Sequence, residues 1–300
     1  MEQNKTDLLN AVISEKSENQ LQVVIDKGSE QSSSSLPFYC DALTDENVNS
    51  ILDDTDSHLV TLIGFSEYGK STFVASMYHL FMVEGYIGEY KFIDSDTYSG
   101  FEKRAYVRNA RLNTKRRLSR TTNTEGYYLS LLIEKNNKRK KLIISDRAGE
   151  SYKNLYTSDI EVVKRDTGLI NSKHLIFFLD TSVLADDSAY LYFRNKFNTL
   201  LSRFKQAEVF HNKVIDIIYN KSDFINDNNK ATIGKYKHDI ESHISKVSNI
   251  VINKTYNVTS NNMSDRDNVK TMEEIFTYIF DTCDERANEL NNNIDWVKNI

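Results

Sequence analysis

From residue 58 onward the chain alternates short apolar runs with longer stretches whose apolar positions recur every three or four residues. His58–Ile63 (HLVTLI) predicts a strand running into a glycine loop. Ser71–Glu84 predicts a helix, with Phe73, Val74, Met77, Leu80 and Phe81 on one face and Gly85 as its stop. Tyr127–Glu134 and Lys141–Ser145 read as two strands joined by the polar turn KNNKRK, an antiparallel hairpin. His174–Leu179 (HLIFFL) is apolar almost throughout, the mark of a parallel strand covered on both faces. A helix follows at Ser188–Gln206, carrying Phe193, Phe197, Leu200, Leu201 and Phe204 on one face. Then come the strand Val214–Tyr219, a polar helix near Tyr236–Val247, the strand Thr255–Val258 and a last helix over Val269–Leu290. This alternation predicts an α/β fold whose sheet is mostly parallel, with the hairpin supplying one antiparallel edge strand.

The pattern weakens toward both ends. Residues 1–57 read as an N-terminal extension, residues 58–290 as the main domain and 291–300 as a tail. Within the extension, Leu8, Leu9, Val12 and Ile13 fit one helical face, and Gly28–Pro37 (GSEQSSSSLP) fits a flexible linker. The sequence leaves open whether the extension is a tail or a partner-binding helix.

Composition narrows the class. With 39% hydrophobic and 27% charged residues, the chain can bury a sizeable core. A net charge of −5 offers no general attraction to nucleic acid or an anionic membrane, so a nucleic-acid partner is not expected. Cys40 and Cys283 stand far apart, which excludes a disulfide framework and a cysteine zinc site. No apolar run approaches the roughly 20 residues of a membrane span. These features predict a cytoplasmic protein without a membrane span.

The candidate chemistry begins between the first strand and the first helix. Gly64-Phe-Ser66-Glu67-Tyr68-Gly69-Lys70-Ser71 matches GxxxxGK[ST], followed by Thr72. Backbone N–H groups of such a loop and of the helix N-terminus lack intrahelical partners and point at phosphates. Lys70 would neutralise β- and γ-phosphate charge, and the Ser71 hydroxyl would bind Mg²⁺. A carboxylate at Glu67 is unusual beside phosphates, and its side chain is expected to face solvent. The motif predicts a P-loop NTPase with three α/β/α layers.

The base is read elsewhere. Asn220-Lys221-Ser222-Asp223 follows the apolar strand VIDIIY. A carboxylate there can accept from both N1–H and the 2-amino group of guanine, a donor pair that adenine lacks. Lys221 would lie along the base, and Asn220 would tie this loop to the phosphate loop. Ser260 and Asn261, after the last strand, would offer backbone N–H groups to the guanine carbonyl. Asp146-Arg-Ala-Gly149-Glu150, after the strand KLIIS, reads as DxxG. Asp146 would hold Mg²⁺ through water, and the Gly149 N–H would meet the γ-phosphate. The expected ligands are GTP or GDP with Mg²⁺.

With these motifs in this order, the chain resembles the TRAFAC class of Ras-like GTPases. More narrowly it resembles bacterial "double-GTPase" domains of conflict and defence gene clusters. The resemblance rests on TLIGFSEYGKSTFVASMYHLF, YKFIDSDTYSGFEKRA, YYLSLLIE, LIISDRAGESYKNL, KHLIFFLDTSVLAD and VIDIIYNKSD, and covers about residues 58–285. It implies a GTP/GDP switch, with an effector or partner protein of unknown identity. It also implies a switch threonine binding Mg²⁺ and γ-phosphate before the hairpin. Thr121, Thr122 and Thr124 compete for that role, and spacing to Asp146 favours Thr124.

The chain departs from the resemblance at catalysis. Glu150 stands where many Ras-like proteins place a glutamine that orients water, and Ser66 fills a loop position often occupied by glycine. Lys103–Arg120 holds eight Lys/Arg and no acid. That run reads as a solvated basic face, or as the source of an arginine reaching the γ-phosphate in cis, with Arg120 or Arg147 the candidates. The alternative function is a GTP-binding scaffold with negligible hydrolysis. An ATPase would require the NKSD sequence to be accidental.

Overall fold

A computed structural model of the chain describes residues 40–52, 57–108 and 127–297, the side chains of 106–108 and 283–297 excepted. Arg120, Thr121, Thr122, Thr124 and the apolar and serine-rich segments before residue 40 lie outside the described residues.

The elements are, in chain order, α1 (Asp45–Leu52), β1 (Ser57–Ile63), α2 (Lys70–Glu84), β2 (Tyr86–Ile87), β3 (Tyr90–Asp94), α3 (Tyr98–Arg108), β4 (Tyr128–Lys135) and β5 (Lys138–Ser145). A π-helical turn at Ser151–Leu155 leads into the short helices α4 (Tyr156–Ser158), α5 (Ile160–Arg165) and α6 (Thr167–Asn171). Then come β6 (His174–Asp180), α7 (Thr181–Leu184), α8 (Asp187–Gln206), β7 (Val214–Asn220), a 3₁₀ turn (Ser222–Phe224), α9 (Lys230–Ser248), β8 (Lys254–Val258) and α10 (Arg266–Val297).

The strands form one sheet in the order β2-β3-β4-β5-β1-β6-β7-β8. From β5 to β8 every pairing is parallel. The β2–β3, β3–β4 and β4–β5 pairings are antiparallel. The antiparallel edge is therefore wider than the hairpin alone predicts, because Tyr86–Asp94 adds two strands beyond β4. These are short and lack a long apolar run, which is why the hydrophobic pattern did not reveal them. The hairpin turn is also tighter than KNNKRK suggested. Lys135 pairs with Lys138, and Asn136 and Asn137 sit at φ 52° and 61°. Asparagine tolerates that left-handed geometry, and such a two-residue turn matches the twist of the strands it joins.

Adjacent residues of β6 show the layering. Phe177 meets Phe197 of α8, with ring centroids 5.8 Å apart. Phe178 meets Phe73 of α2 at 5.1 Å on the opposite face. Since successive strand side chains point to opposite faces, this one pair demands helices on both sides of the sheet. On the α2 side, α10 closes the layer, with Phe276 packed 4.6 Å from Phe73. Asp216 interrupts the apolar β7 but is not stranded there. Its Oδ2 lies 2.5 Å from His174 Nε2, and its Oδ1 accepts from the Lys254 N–H at 2.8 Å.

Residues 40–52, N-terminal to the boundary expected at 57, belong to the same compact unit as the sheet. Leu43 bridges to Tyr128 and, with Val48, joins a cluster of Leu59, Tyr127, Tyr128 and Ile143. At the other end α10 passes the expected stop at 290 and runs to Val297. No proline or glycine follows Arg266, so nothing in the sequence breaks the helix.

Helix α9 begins six residues before the expected start. Gly234 conceals that start in the sequence, yet it sits within the helix, and a Cβ added there would meet nothing within 4 Å. Glycine in a helix costs about 0.5–1 kcal/mol relative to alanine. Gly234→Ala is therefore expected to stabilise the protein by about that amount, measured as a higher urea midpoint at unchanged m-value.

Candidate functional site

The expected site residues gather at the C-terminal ends of β1, β5, β7 and β8, where ligands bind in open α/β sheets. The phosphate loop leaves β1 at Gly64 and enters α2 at Lys70. Helix α2 has no acidic residue in its first turn and no side-chain cap, so its N-terminal N–H groups keep their capacity for an external anion. Glu67 is exposed at φ 67°, and Tyr68 is buried. Ser66, Ser71 and Thr72 are half-buried.

Gly69 has two reasons to be glycine. It sits at φ 90°, and a Cβ there would lie 1.9 Å from Asn220 Nδ2. That proximity matters because Asn220 connects three loops. Its Nδ2 donates to the Tyr68 carbonyl at 2.9 Å. Its Oδ1 accepts from both the Ser260 N–H and the Ser260 hydroxyl, each at 2.9 Å. Ser76 of α2 closes the circuit by donating to the Ser260 carbonyl at 2.6 Å. The expected tie between the phosphate loop and the Asn220 loop is present, and it extends to the loop after β8.

Around that hub, Asp223 is exposed and accepts from Thr259 Oγ1 at 3.1 Å, which orients its carboxylate. Asn261 is exposed. Lys221, in the left-handed region at φ 58°, donates to Asp180 Oδ2 at 2.5 Å. Asp180 ends β6, so this lysine is anchored to the neighbouring strand, a contact the sequence did not suggest.

Lys70 is 5% exposed and folds back onto its own loop, donating to the Gly64 carbonyl at 2.7 Å and the Phe65 carbonyl at 3.3 Å. Burial lowers its pKa to about 8, against the opposing pull of Asp146 and Glu150. Tyr152 lies beneath the ammonium, its ring centroid 5.6 Å away.

Gly149 packs directly on the phosphate loop, where a Cβ would lie 2.2 Å from the Ser66 N–H nitrogen. Only glycine permits that approach. Glu150 follows at the entry to the π-helical turn, a type of irregularity found often at functional sites.

Asp146 is 1% exposed and accepts from Ser71 Oγ at 3.0 Å. One hydroxyl beside one carboxylate fits Mg²⁺, which keeps several waters and takes further ligands from phosphate oxygens rather than from a protein cage. No cluster of three His, Cys, Asp or Glu occurs among the described residues.

The two expected arginines fare differently. Arg120 lies outside the described residues. Arg147 reaches Asp166 at 2.6 Å and Asp45 at 3.4 Å, and its guanidinium lies 3.7 Å from the Tyr127 ring centroid. It thus ties the DxxG segment to α1 and α6. The arginine that meets Asp146 is Arg104 of α3, at 2.7 Å. In the sequence Arg104 is one of the eight basic residues of Lys103–Arg120, with nothing local to distinguish it. Its position depends on how α3 packs, which no local pattern encodes.

The Lys70 geometry has a stability consequence. Its folded pKa lies below the unfolded value of 10.5, so the unfolded chain binds more protons between about pH 8 and 10.5. The destabilisation is full below about pH 8, on the order of 3 kcal/mol, and fades as pH rises through that window. Lys70→Met, which removes the buried charge, is expected to melt above the wild type at pH 7. The gap should narrow toward pH 10, as followed by thermal denaturation of the two proteins side by side.

Comparison with known proteins places this geometry in context. The model of the family described as Double-GTPase 2 matches residues 58–274, nearly three quarters of the chain. No curated protein matches at a significant level. Among solved structures, a bacterial selenocysteine-specific elongation factor, EF-Sec, is similar at 16% identity and a TM-score of 0.35, covering 72% of this chain and 28% of that one. Sup35 complexed with GDP is similar at 10% identity and a TM-score of 0.37, covering 69% of this chain and 38% of that one.

Proposed function

The chain belongs to the Double-GTPase 2 family, and from that premise we propose that it is a guanine-nucleotide switch that binds GTP and hydrolyses it slowly to GDP. The observation carrying this reading is the Asn220 hub. One amide holds the phosphate loop, the Asn220–Asp223 loop and the loop after β8 at a fixed spacing. That is the arrangement needed to grip phosphates at one end of a nucleoside and a base at the other.

In this reading the loop from Gly64 to Thr72 cradles the phosphates. Its backbone N–H groups include those of Ser66, Glu67, Tyr68 and Gly69, and Lys70 turns from its own carbonyls to the phosphate oxygens. Asp223 accepts from two guanine donors, and Lys221 with the Ser260–Asn261 backbone completes the base pocket. Ser71, Asp146 and Thr124 would hold Mg²⁺, which when bound neutralises phosphate charge. Gly149 and Thr124 would contact the γ-phosphate and release it on hydrolysis, freeing their segments to change shape. In this reading, and in keeping with the resemblance to domains of bacterial conflict systems, an effector protein would read that change.

The alternative, a GTP-binding scaffold with negligible hydrolysis, draws on a specific feature. Glu150 is close enough to Lys70 to pull its pKa upward, so its charge would also face the γ-phosphate. An anion there opposes the charge that builds in the transition state, which is why turnover is expected to be slow. Arginine assistance from Arg120, or from Arg147 once released from Asp166 and Asp45, would offset it, by about 10³–10⁵ in rate where such a residue acts. Single-turnover release of γ-phosphate separates the readings, with Arg120→Ala and Arg147→Ala identifying any arginine that lowers rate at unchanged affinity.

Base selection is tested by Asp223→Asn. Replacing a carboxylate that accepts from two guanine donors loses one charge-assisted hydrogen bond of about 1.5–3 kcal/mol, so GTP affinity is expected to fall roughly ten- to a hundredfold. Affinity for the xanthine nucleotide should rise, because its 2-oxo group accepts from the new amide. If ATP competes as well as GTP for the unmodified protein, the reading is wrong.

The same lysine sets a pH dependence for binding. Phosphate oxygens favour protonated Lys70, whose pKa stands at about 8 in the protein without ligand. GTP affinity is expected to decline as pH rises above about 8. Binding near that pH should take up protons, which calorimetry in buffers of different ionisation enthalpy would detect.

A further inference from the structure

Asp146 has two partners, and the second changes what the site can do. Its Oδ1 accepts from Ser71 Oγ at 3.0 Å, and its Oδ2 accepts from Arg104 Nε at 2.7 Å. Arg104 is 8% exposed, an unusual degree of burial for arginine. Its Nη1 donates to the Gly100 carbonyl at 3.0 Å, one helical turn back. Its Nη2 is buried and has no hydrogen-bond partner among the described residues. A guanidinium presents its donors in a rigid fork, so with Nε and Nη1 engaged the direction of Nη2 is set. Leaving such a donor dry and unpaired is unfavourable unless something else satisfies it.

The surroundings limit what that partner can be. Ser71 and Asp146 meet at the phosphate end of the site, beside Lys70 and the N-terminus of α2. A terminal phosphate arriving there faces the carboxylates of Asp146 and Glu150, whose charges already reach Lys70. Arg104 is the cation paired with Asp146, and helix α3 holds it in place. Ala42 crosses α3 so closely at Gly100 that a Cβ on that glycine would lie 2.9 Å from the Ala42 nitrogen.

We propose that Arg104 is a phosphate-contacting residue supplied in cis, whose Nη2, without a partner among the described residues, takes an oxygen of the terminal phosphate and so favours the triphosphate over the diphosphate. The inference rests on the guanine-nucleotide reading of this site. A diphosphate lacks the terminal phosphate and would gain nothing from this donor. An ion pair serving only to support Asp146 would act through Mg²⁺, so its preference for the triphosphate would vanish in chelator.

The test compares full-length Arg104→Gln and Arg104→Lys with the unmodified protein. Equilibrium affinities for GDP and the slowly hydrolysed analogue GTPγS are measured with Mg²⁺ and with a chelator, alongside thermal melting. Glutamine can still donate to Asp146 but cannot also reach the phosphate. Lysine keeps the charge but concentrates it on one atom. Both variants are expected to lose about tenfold or more in GTPγS affinity, as for one charge-assisted hydrogen bond. GDP affinity should change by less than about threefold, and the selective loss should persist in chelator because the arginine causes it. Equal losses for both nucleotides, or no loss for either, would overturn the proposal. Retained GDP binding shows that a variant is folded, and should glutamine fail this check, lysine carries the test. Failure of the unmodified protein to bind either nucleotide would instead overturn the functional reading on which the proposal stands.

Discussion

The candidate site depends on one side-chain amide held at a crossing of three loops. Asn220 donates to the phosphate loop at Tyr68 and accepts twice from Ser260, and Ser260 is held in turn by Ser76 of α2. Each bond is ordinary in strength. Their combined effect is geometric, because they fix the separation of loops that leave different strands, and Thr259 reinforces it through its bond to Asp223. Asn220 is 3% exposed, so water cannot compete for these bonds, and an alternative residue would leave buried donors and acceptors unpaired. Gly69 is the complement of this asparagine. The close approach exists only because no side chain occupies that space.

A second constraint is electrostatic. Lys70, Asp146 and Arg104 are all buried, and their charges are arranged so that none is isolated. Lys70 borrows carbonyls from its own loop, and Asp146 shares a guanidinium and a hydroxyl. Buried ion pairs contribute little net stability, since desolvation offsets the attraction. Their presence here makes sense as a set of charges held ready for a ligand. The protein stays folded while carrying them because the core elsewhere is large and aromatic-rich, from Phe73 and Phe178 to Phe276.

The segment before β1 is tied to the same region. Leu43 pairs with Tyr128 just after the stretch that holds the candidate switch threonines, and Asp45 contacts Tyr128 and Arg147. Arg147 in turn sits between Asp146 and Gly149 in the chain. Residues 41–45 therefore touch the border of the stretch that holds the candidate threonines and Arg147 of the DxxG segment. Asp166, the buried N-cap of α6, completes this cluster through its pair with Arg147.

Much of the molecule was legible in the chain itself. Long apolar runs such as HLIFFL and VIDIIY identified the buried parallel strands, because a strand covered on both faces has no polar alternation to obscure it. The loop Gly64–Ser71 and the run Asn220–Asp223 announced their chemistry through residue types that few other roles require. Short strands such as β2 and β3, the early start of α9 behind Gly234 and the packing of residues 40–52 were not legible. Their stability comes from neighbours rather than from their own pattern. The sequence by itself determined which strands lie at the centre and which loops carry the phosphate-loop, DxxG and NKSD motifs. Tertiary structure decided that Arg147 turns toward Asp166, that Lys221 anchors to Asp180, and that Arg104 is the arginine beside Asp146. A guanidinium has reach enough for several partners, and only the packing of whole elements selects among them.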